Sequence, residues 1–177
     1  MRDRKLKEKK AVVVEDAVQL VTFQVGTEEY GLDITAITEV IRPLKITPLP
    51  RMPEFVEGVI NLRGAIIPIV DLRKRFDLPA GTESRKTTRM LITRGAIYGA
   101  SGAGKEPLGL IVDGVQEVLH VPKKNIDAAP HAATGENTHF ITGMGKVGDR
   151  LIIIIDITRI LSQQERSALA EADHAGH

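Results

Sequence analysis

Two apolar strings with one shared pattern limit what this 177-residue chain can fold into. Ile66-Ile67-Pro68-Ile69-Val70-Asp71-Leu72 lines up with Leu151-Ile152-Ile153-Ile154-Ile155-Asp156-Ile157. Earlier in each half, Gly31-Leu32-Asp33-Ile34-Thr35-Ala36-Ile37-Thr38-Glu39-Val40-Ile41 lines up with Gly109-Leu110-Ile111-Val112-Asp113-Gly114-Val115-Gln116-Glu117-Val118-Leu119. The order is the same in both halves, which marks a tandem duplication of one small β unit. A unit of that size buries too little surface to stand alone. Leu151 to Ile155 is apolar on both faces of a strand, and leaving one face wet forfeits roughly 1.5–3 kcal/mol per large side chain. At least one such strand is therefore expected between the units, giving two small β-barrels welded by a common core. Pro68 supplies no ladder donor, so its strand is expected at an edge or with a bulge at that point.

The remaining pattern fits this frame. Val18 to Val25 alternates, Gly26-Thr27-Glu28 turns, and Glu29-Tyr30-Gly31-Leu32 returns as a hairpin. Asp33 caps a helical turn through Ala36, and Glu39-Val40-Ile41 extends again. Pro43, Pro48, Pro50 and Pro53 punctuate a loop. A second hairpin spans Gly58 to Leu72, and Arg73 to Phe76 makes one helical turn. Gly81 to Thr88 is a polar loop, and Gly95 to Gly104 a Gly/Ala/Ser segment. Strands are expected over Arg89–Thr93, Leu108–Val115 and Glu117–Val121, with a loop from Pro122 to Gly135. Phe140–Val147 and Leu151–Ile155 form a hairpin around Gly148-Asp149, and Thr158–Ala172 a terminal helix. The expected organisation is a basic tail over 1–16, one domain over 17–162, and a helix end and tail over 163–177. Within the domain, subdomains fall near 17–86 and 87–162, with boundaries that intertwine.

Composition removes several function classes. There is no cysteine, so disulfides, zinc–thiolate sites and thiol catalysis are excluded, which fits a reducing cytosol. A net charge of +1 gives no global drive toward nucleic acid or a membrane surface. Met1 to Lys10 holds six basic and two acidic residues and reads as a solvated tail. No apolar run is long enough to span a bilayer, and no signal-peptide core follows the leader, so direct membrane insertion is not expected.

Motifs that suggest chemistry lack their context. Gly99-Ala100-Ser101-Gly102-Ala103-Gly104-Lys105 has P-loop spacing, but Glu106 replaces the magnesium-binding hydroxyl and Pro107 stands where a helix should start. Gly143-Met144-Gly145-Lys146-Val147-Gly148 matches a dinucleotide fingerprint but leads into a strand rather than a helix. His120, His131, His139, His174 and His177 have no zinc-like spacing. Glu39, Asp71, Glu117 and Asp156 sit at repeat-related strand ends, where carboxylates cap and face solvent, and no nucleophile–base pair stands out. No enzyme, metal site or cofactor is expected. An alternative function is a single-stranded nucleic-acid-binding β-barrel protein using Arg73, Lys74, Arg75, Arg85, Lys86, Arg89 and Arg94. Aromatic residues are only 3%, too few for a base-stacking platform.

One stretch points elsewhere. In Gly58-Val59-Ile60-Asn61-Leu62-Arg63-Gly64 followed by Ile67-Pro68-Ile69-Val70-Asp71-Leu72, a tight turn lifts Arg63 clear of the sheet, and Gly64 suits a positive φ. Together with Glu39-Val40-Ile41, Gly109 to Val115 and Gly148 to Asp156, this stretch resembles the signature of the CheW-like chemotaxis coupling proteins. The resemblance covers about Val18 to Leu161. It implies two five-stranded barrels of OB or SH3 type and a non-enzymatic adaptor. The implied partners are chemoreceptor cytoplasmic tips and the regulatory domain of the histidine kinase CheA. The implied location is cytoplasmic, at the membrane-associated receptor array through those partners. Carried over by position, the receptor-facing residues are Ile37, Glu39, Gly58, Asn61, Arg63 and Ile66. Glu39 is expected to pair with Arg63. No residue is assigned to the kinase side. The strands of the hairpin have counterparts in the second half, whereas its tip faces Lys146-Val147-Gly148-Asp149, so the arginine is expected to be unique to the first half.

Overall fold

The duplication is visible in the hydrogen bonding. The computed structural model describes residues 16–79, 86–96, 106–129, 138–162 and 164–169. The first repeat contributes β1 (Ala17–Val25), β2 (Glu28–Asp33), β3 (Ile37–Ile41), β4 (Val56–Leu62) and β5 (Ala65–Asp71). The second contributes β6 (Arg89–Ala96), β7 (Glu106–Val112), β8 (Gly114–Pro122), β9 (Ile126–Ala128), β10 (Ile141–Val147) and β11 (Arg150–Ile155). A short helix, α1 (Leu72–Arg75), separates them. Two sheets result, one in the order β8-β1-β2-β11-β10-β9 and the other β3-β6-β7-β5-β4. With β9 set aside, the two orders are the same once each strand is replaced by its repeat counterpart.

Registers agree residue by residue. In the parallel pairs, Ile69 on β5 faces Gly109 on β7, and Ile154 on β11 faces Gly31 on β2. In the hairpins, Gly58 faces Ile69 and Gly143 faces Ile154, each just after a register shift. The Phe55 carbonyl accepts from Asp71 N at 2.8 Å, and the Phe140 carbonyl from Asp156 N at 2.9 Å. Asp71 and Asp156 then cap the next turn alike, each accepting from the backbone N–H two residues on, at 2.9 Å.

The sheets do not follow the sequence halves. Each sheet takes strands from both repeats: β1 and β2 lie with β8 to β11, while β6 and β7 complete the sheet of β3, β4 and β5. The division near residue 86 therefore separates repeats along the chain but not units in space. Neither sheet closes into a hydrogen-bonded barrel, and one has six strands where five were expected. Proline explains the difference in number. In the first repeat the Pro43–Pro53 segment makes a single bridge, Thr47 to Val59. Its counterpart carries no proline between 123 and 129 and forms β9, a strand missing from the sequence reading, which placed a loop there.

Three apolar clusters hold the sheets. Ile60, Ile67, Ile69, Met90 and Ile92 fill the curl of the five-stranded sheet, and Leu20, Val121 and Ile152 that of the six-stranded one. A larger cluster between the sheets gathers Phe23, Leu32, Val70, Leu91, Leu110, Phe140 and Ile155. Strand β11 serves both sides as its sequence demanded: Ile152 and Ile154 point into its own curl, Ile153 and Ile155 into the shared core. Pro68 corrects an expectation, because β5 is an interior strand with no bulge at that residue. Opposite it, Val59 donates its N–H to the Thr47 carbonyl and accepts from Thr47 N, so Pro68 needs no donor toward β4. On the other side the β7 ladder begins only at Ile69.

Where the repeats meet, Arg75 of α1 is buried with its guanidinium 5.1 Å from the Phe55 ring centre and 5.2 Å from that of Phe140. Its Nε donates to the Ile160 carbonyl at 2.7 Å. Burial lowers its pKa, and the nearby charge of Glu165 opposes that shift. Phe76 stacks between Tyr30 and Phe140, with 4.8 Å between ring centres on each side. The single terminal helix expected from Thr158 is broken. Ile157–Arg159 is a 3₁₀ turn, and helix resumes at 164–169. A capping box restarts it: Ser162 Oγ accepts from Glu165 N at 3.1 Å, and Glu165 Oε1 accepts from Ser162 N at 2.7 Å. The basic leader and the 99–105 P-loop-like string lie outside the described residues.

Replacing Arg75 by methionine orphans the Ile160 carbonyl and removes two ring contacts, with an expected loss of about 2–4 kcal/mol of unfolding free energy in urea titrations. The same change at exposed Arg94 is expected to cost less than about 0.5 kcal/mol. Gly58→Ala is expected to destabilise more than Gly143→Ala. At Gly58 a Cβ would stand 2.1 Å from the Thr47 carbonyl oxygen on a backbone with φ +141°, whereas at Gly143 it would stand 2.9 Å from that of Asp127. Thermal unfolding of the two variants checks the order.

Candidate protein-docking site

The tip of the β4–β5 hairpin is a two-residue turn, Arg63-Gly64, with φ of 52° and 87°. Positive φ at both positions is the type I′ pattern, which matches strand twist. Asn61 supports the turn, its Oδ1 accepting from Gly64 N at 2.9 Å. Arg63 is the anomaly, since a residue with a Cβ pays about 1–2 kcal/mol in the left-handed region. The curl of the sheet carries the tip to edge strand β3, where Arg63 Nη2 donates to both carboxylate oxygens of Glu39, at 2.6 and 2.7 Å. The side chains are 70% and 30% exposed, so the pair contributes under about 1 kcal/mol. The bridge does not offset the strain that displays the arginine. The stability of the ion pair therefore does not by itself account for this arrangement.

The six sequence-derived residues divide into two groups. Glu39 and Arg63 meet at the surface, and Asn61, which supports the turn, pairs across the hairpin with Ile66, itself 54% exposed. Ile37 is half-buried and packs on the shared core, so it supports β3 from behind. Gly58 is buried and lets the Thr47 segment cross against β4, so it shapes the face without contributing a surface of its own. The sequence reading did not single out Val40, which follows Glu39 in β3 and is 42% exposed. Alternation along β3 carried the signal for Val40, because Ile41 on the opposite face packs inward.

The arginine is not unique to the first half. Position 63 aligns with Gly148, but Arg150 follows the second turn and donates through Nη1 to Glu117 Oε1 at 2.6 Å. Glu117 is the repeat counterpart of Glu39, so the ion pair is duplicated even though the turn is not. Glu29 also binds Arg150 through Nε at 3.2 Å and through Nη2. These hydrogen bonds, first from Glu29 and then from Glu117, raise the pKa of the guanidinium.

Three members of the basic cluster expected between residues 73 and 94 are engaged within the fold, whereas Lys86 and Arg94 are exposed. Arg73 pairs with Asp113 at 2.9 Å, Lys74 with Glu57 at 2.5 Å, and Arg75 is buried. Among the described residues, no group of three or more His, Cys, Asp or Glu is placed to hold a metal ion, and no helix is long and apolar enough to cross a membrane.

Comparison with known proteins agrees with this architecture. The profile of the CheW-like domain matches residues 19–165. The chain is 34% identical to the chemotaxis protein CheW of Klebsiella aerogenes over 147 residues, covering 83% of each chain. It is 33% identical to that of Treponema pallidum over 158 residues, covering 89% of this chain and 90% of the relative. The crystal structure of the scaffolding protein TtCheW from Thermoanaerobacter tengcongensis superposes with a TM-score of 0.73 at 36% identity, covering 84% of this chain and 95% of that one. The chain belongs to the CheW-like family of chemotaxis proteins.

Proposed function

We propose that the chain is an adaptor without chemistry of its own, coupling the cytoplasmic tips of chemoreceptors to the regulatory domain of the histidine kinase CheA. The observation that carries this reading is the strained, exposed Arg63 held by Glu39, with Val40 and Ile66 uncovered on the strand and the hairpin that this pair joins. A receptor tip is a helical hairpin, and a helix docks by laying an apolar stripe on such side chains while a directional donor sets its register. Glu39 holds the guanidinium fork before binding, which reduces the rotamer entropy lost on docking. The protein would then work in the cytoplasm, at the receptor array, through its partners. The kinase contact is assigned to no residue. Arg73 and Lys74 pair with carboxylates and Arg75 is buried, so three of the seven basic side chains that the nucleic-acid reading relied on are already engaged.

Titration of the protein with a receptor-tip fragment and, separately, with the kinase regulatory domain tests the adaptor role, and no association with either would sink it. Arg63→Glu is expected to weaken the receptor contact at least about tenfold, the effect of losing one charge-assisted bond, while shifting Tm by less than about 2 °C. Arg63→Gly separates strain from recognition. It should bind as poorly, yet keep or gain up to about 1 kcal/mol of unfolding free energy because glycine accepts positive φ. If either variant unfolds instead, Arg63 is a structural residue.

A further inference from the structure

The described chain passes between the two sheets twice, and the copies of the repeat handle the two crossings differently. The first, from β2 to β3, runs through the 3₁₀ turn Ile34–Ala36, and the second, from β7 to β8, through Asp113. In the alignment of the repeats Asp113 matches Thr35, and Arg73 of α1 matches Thr158. Each threonine is satisfied locally. Its hydroxyl donates to an aspartate two residues earlier, Thr35 to Asp33 at 2.6 Å and Thr158 to Asp156 at 2.7 Å.

Their charged counterparts reach across the fold. Asp113 Oδ2 accepts from Gly26 N at 2.6 Å, in the β1–β2 turn of the six-stranded sheet. Arg73, on the helix that follows β5 of the five-stranded sheet, donates through Nε to Oδ1 at 2.9 Å and to Oδ2 at 3.0 Å. The Pro79 carbonyl accepts from Arg73 Nη1 at 2.8 Å and steadies the guanidinium. The two side chains are 14% and 13% exposed, so salt screens their attraction little. One carboxylate thus receives donors from both sheets, and the other copy has threonines at the matching positions.

Asp113 also stands at a cleft of about 380 Å³ between the sheets. Gln24, Val115 and Gln116 of the six-stranded sheet line one side of it, and Val40 and Arg89 of the five-stranded sheet the other. Val40 is the uncovered aliphatic residue that follows Glu39 in β3. Apolar contact between the sheets is non-directional, whereas a charge-assisted hydrogen bond fixes both distance and angle.

We infer that Asp113 is a positioning residue for the candidate site. By bonding both sheets it fixes the angle between them, and with it the place of Val40 relative to the opposite wall of the cleft. The inference rests on the reading of the Arg63–Glu39 face as a docking surface.

The test uses the full chain, isotope-labelled for NMR. Residual dipolar couplings fitted separately to each sheet give the angle between them. Asp113→Asn keeps an oxygen for Gly26 N but loses the charge that holds Arg73, and Arg73→Gln removes the same pair from the other side. In both variants each sheet is expected to fit its own couplings as before, while the two sheets no longer fit one rigid arrangement. Affinity for the receptor-tip fragment is expected to fall about threefold or more, the loss when roughly a third of the molecules or fewer hold the competent spacing. Asp33→Asn at the other crossing is the control and should change neither measurement, because asparagine caps a turn as well as aspartate does. Couplings that fit the unaltered angle in both variants, with only Tm lowered, would show a purely structural tie and overturn the inference. Loss of the fold in both variants would overturn it too, by making the pair part of the core. An altered angle with unaltered receptor affinity would overturn the positioning role and spare the adaptor reading. If the unaltered chain does not bind the receptor tip at all, the adaptor reading fails, and the couplings alone decide whether Asp113 sets the angle.

Discussion

One buried guanidinium sits where the two copies of the repeat meet. Phe55 and Phe140 occupy equivalent places before their hairpins, and both present a ring to the same interior space. A duplicated chain supplies two aromatic faces there, yet only one side chain can serve them together. Arg75 does so from the helix that links the repeats, and its bond to the Ile160 carbonyl anchors the C-terminal turn as well. A planar cation suits this place better than an aliphatic chain, because it attracts both rings and still satisfies a buried carbonyl. Phe23, Tyr30, Phe76 and Phe140 continue as a row of stacked rings. The sparse aromatic content of the chain is thus concentrated at the junction between the sheets.

Around that junction, one ladder serves two ends. Its inward positions, such as Ile69 and Ile154, are constrained by the parallel strand opposite, where a glycine in each copy admits them. Gly109 has no room for a Cβ, which would stand 2.4 Å from the Ile69 side chain, and Gly31 is only a little less confined at 3.0 Å from that of Ile152. The hairpin tips carry no such restraint, and the copies diverge there: Arg63 in the first turn, Arg150 just after the second, one glutamate as partner in one copy and two in the other. Scaffold and surface are separated along the hairpin, the paired ladder from the turn that ends it.

Much of this was legible in the chain. The repeat, the hairpins, the caps at Asp33 and Asp71 and the double burial of β11 follow from periodicity and side-chain chemistry that act over a few residues. Which strands are exchanged between the sheets was not legible, because the two copies are alike enough that apolar alternation fits either partner. Pro68 was misplaced because the rule about missing donors applies to one side of a strand at a time, and the ladder on that side starts one residue later. At the candidate site, Glu39 and Arg63 were found together, whereas Gly58 and Ile37 could be assigned to its foundation only once burial was known. Arg150 was missed because alignment compares positions, while an ion pair needs only the reach of a long side chain.

The exchange of strands also sets an order of events during synthesis. The five-stranded sheet has all its members once β7 has emerged, at residue 112. The first hairpin, β1 and β2, belongs to the other sheet and must wait for partners as distant as Ile153, which faces Tyr30. Until then its edges and the rings of Phe23 and Tyr30 lack their cover, a condition that invites misassembly in a crowded cell. A nascent chain of this design is half finished for much of its translation, with its oldest strands the last to be enclosed.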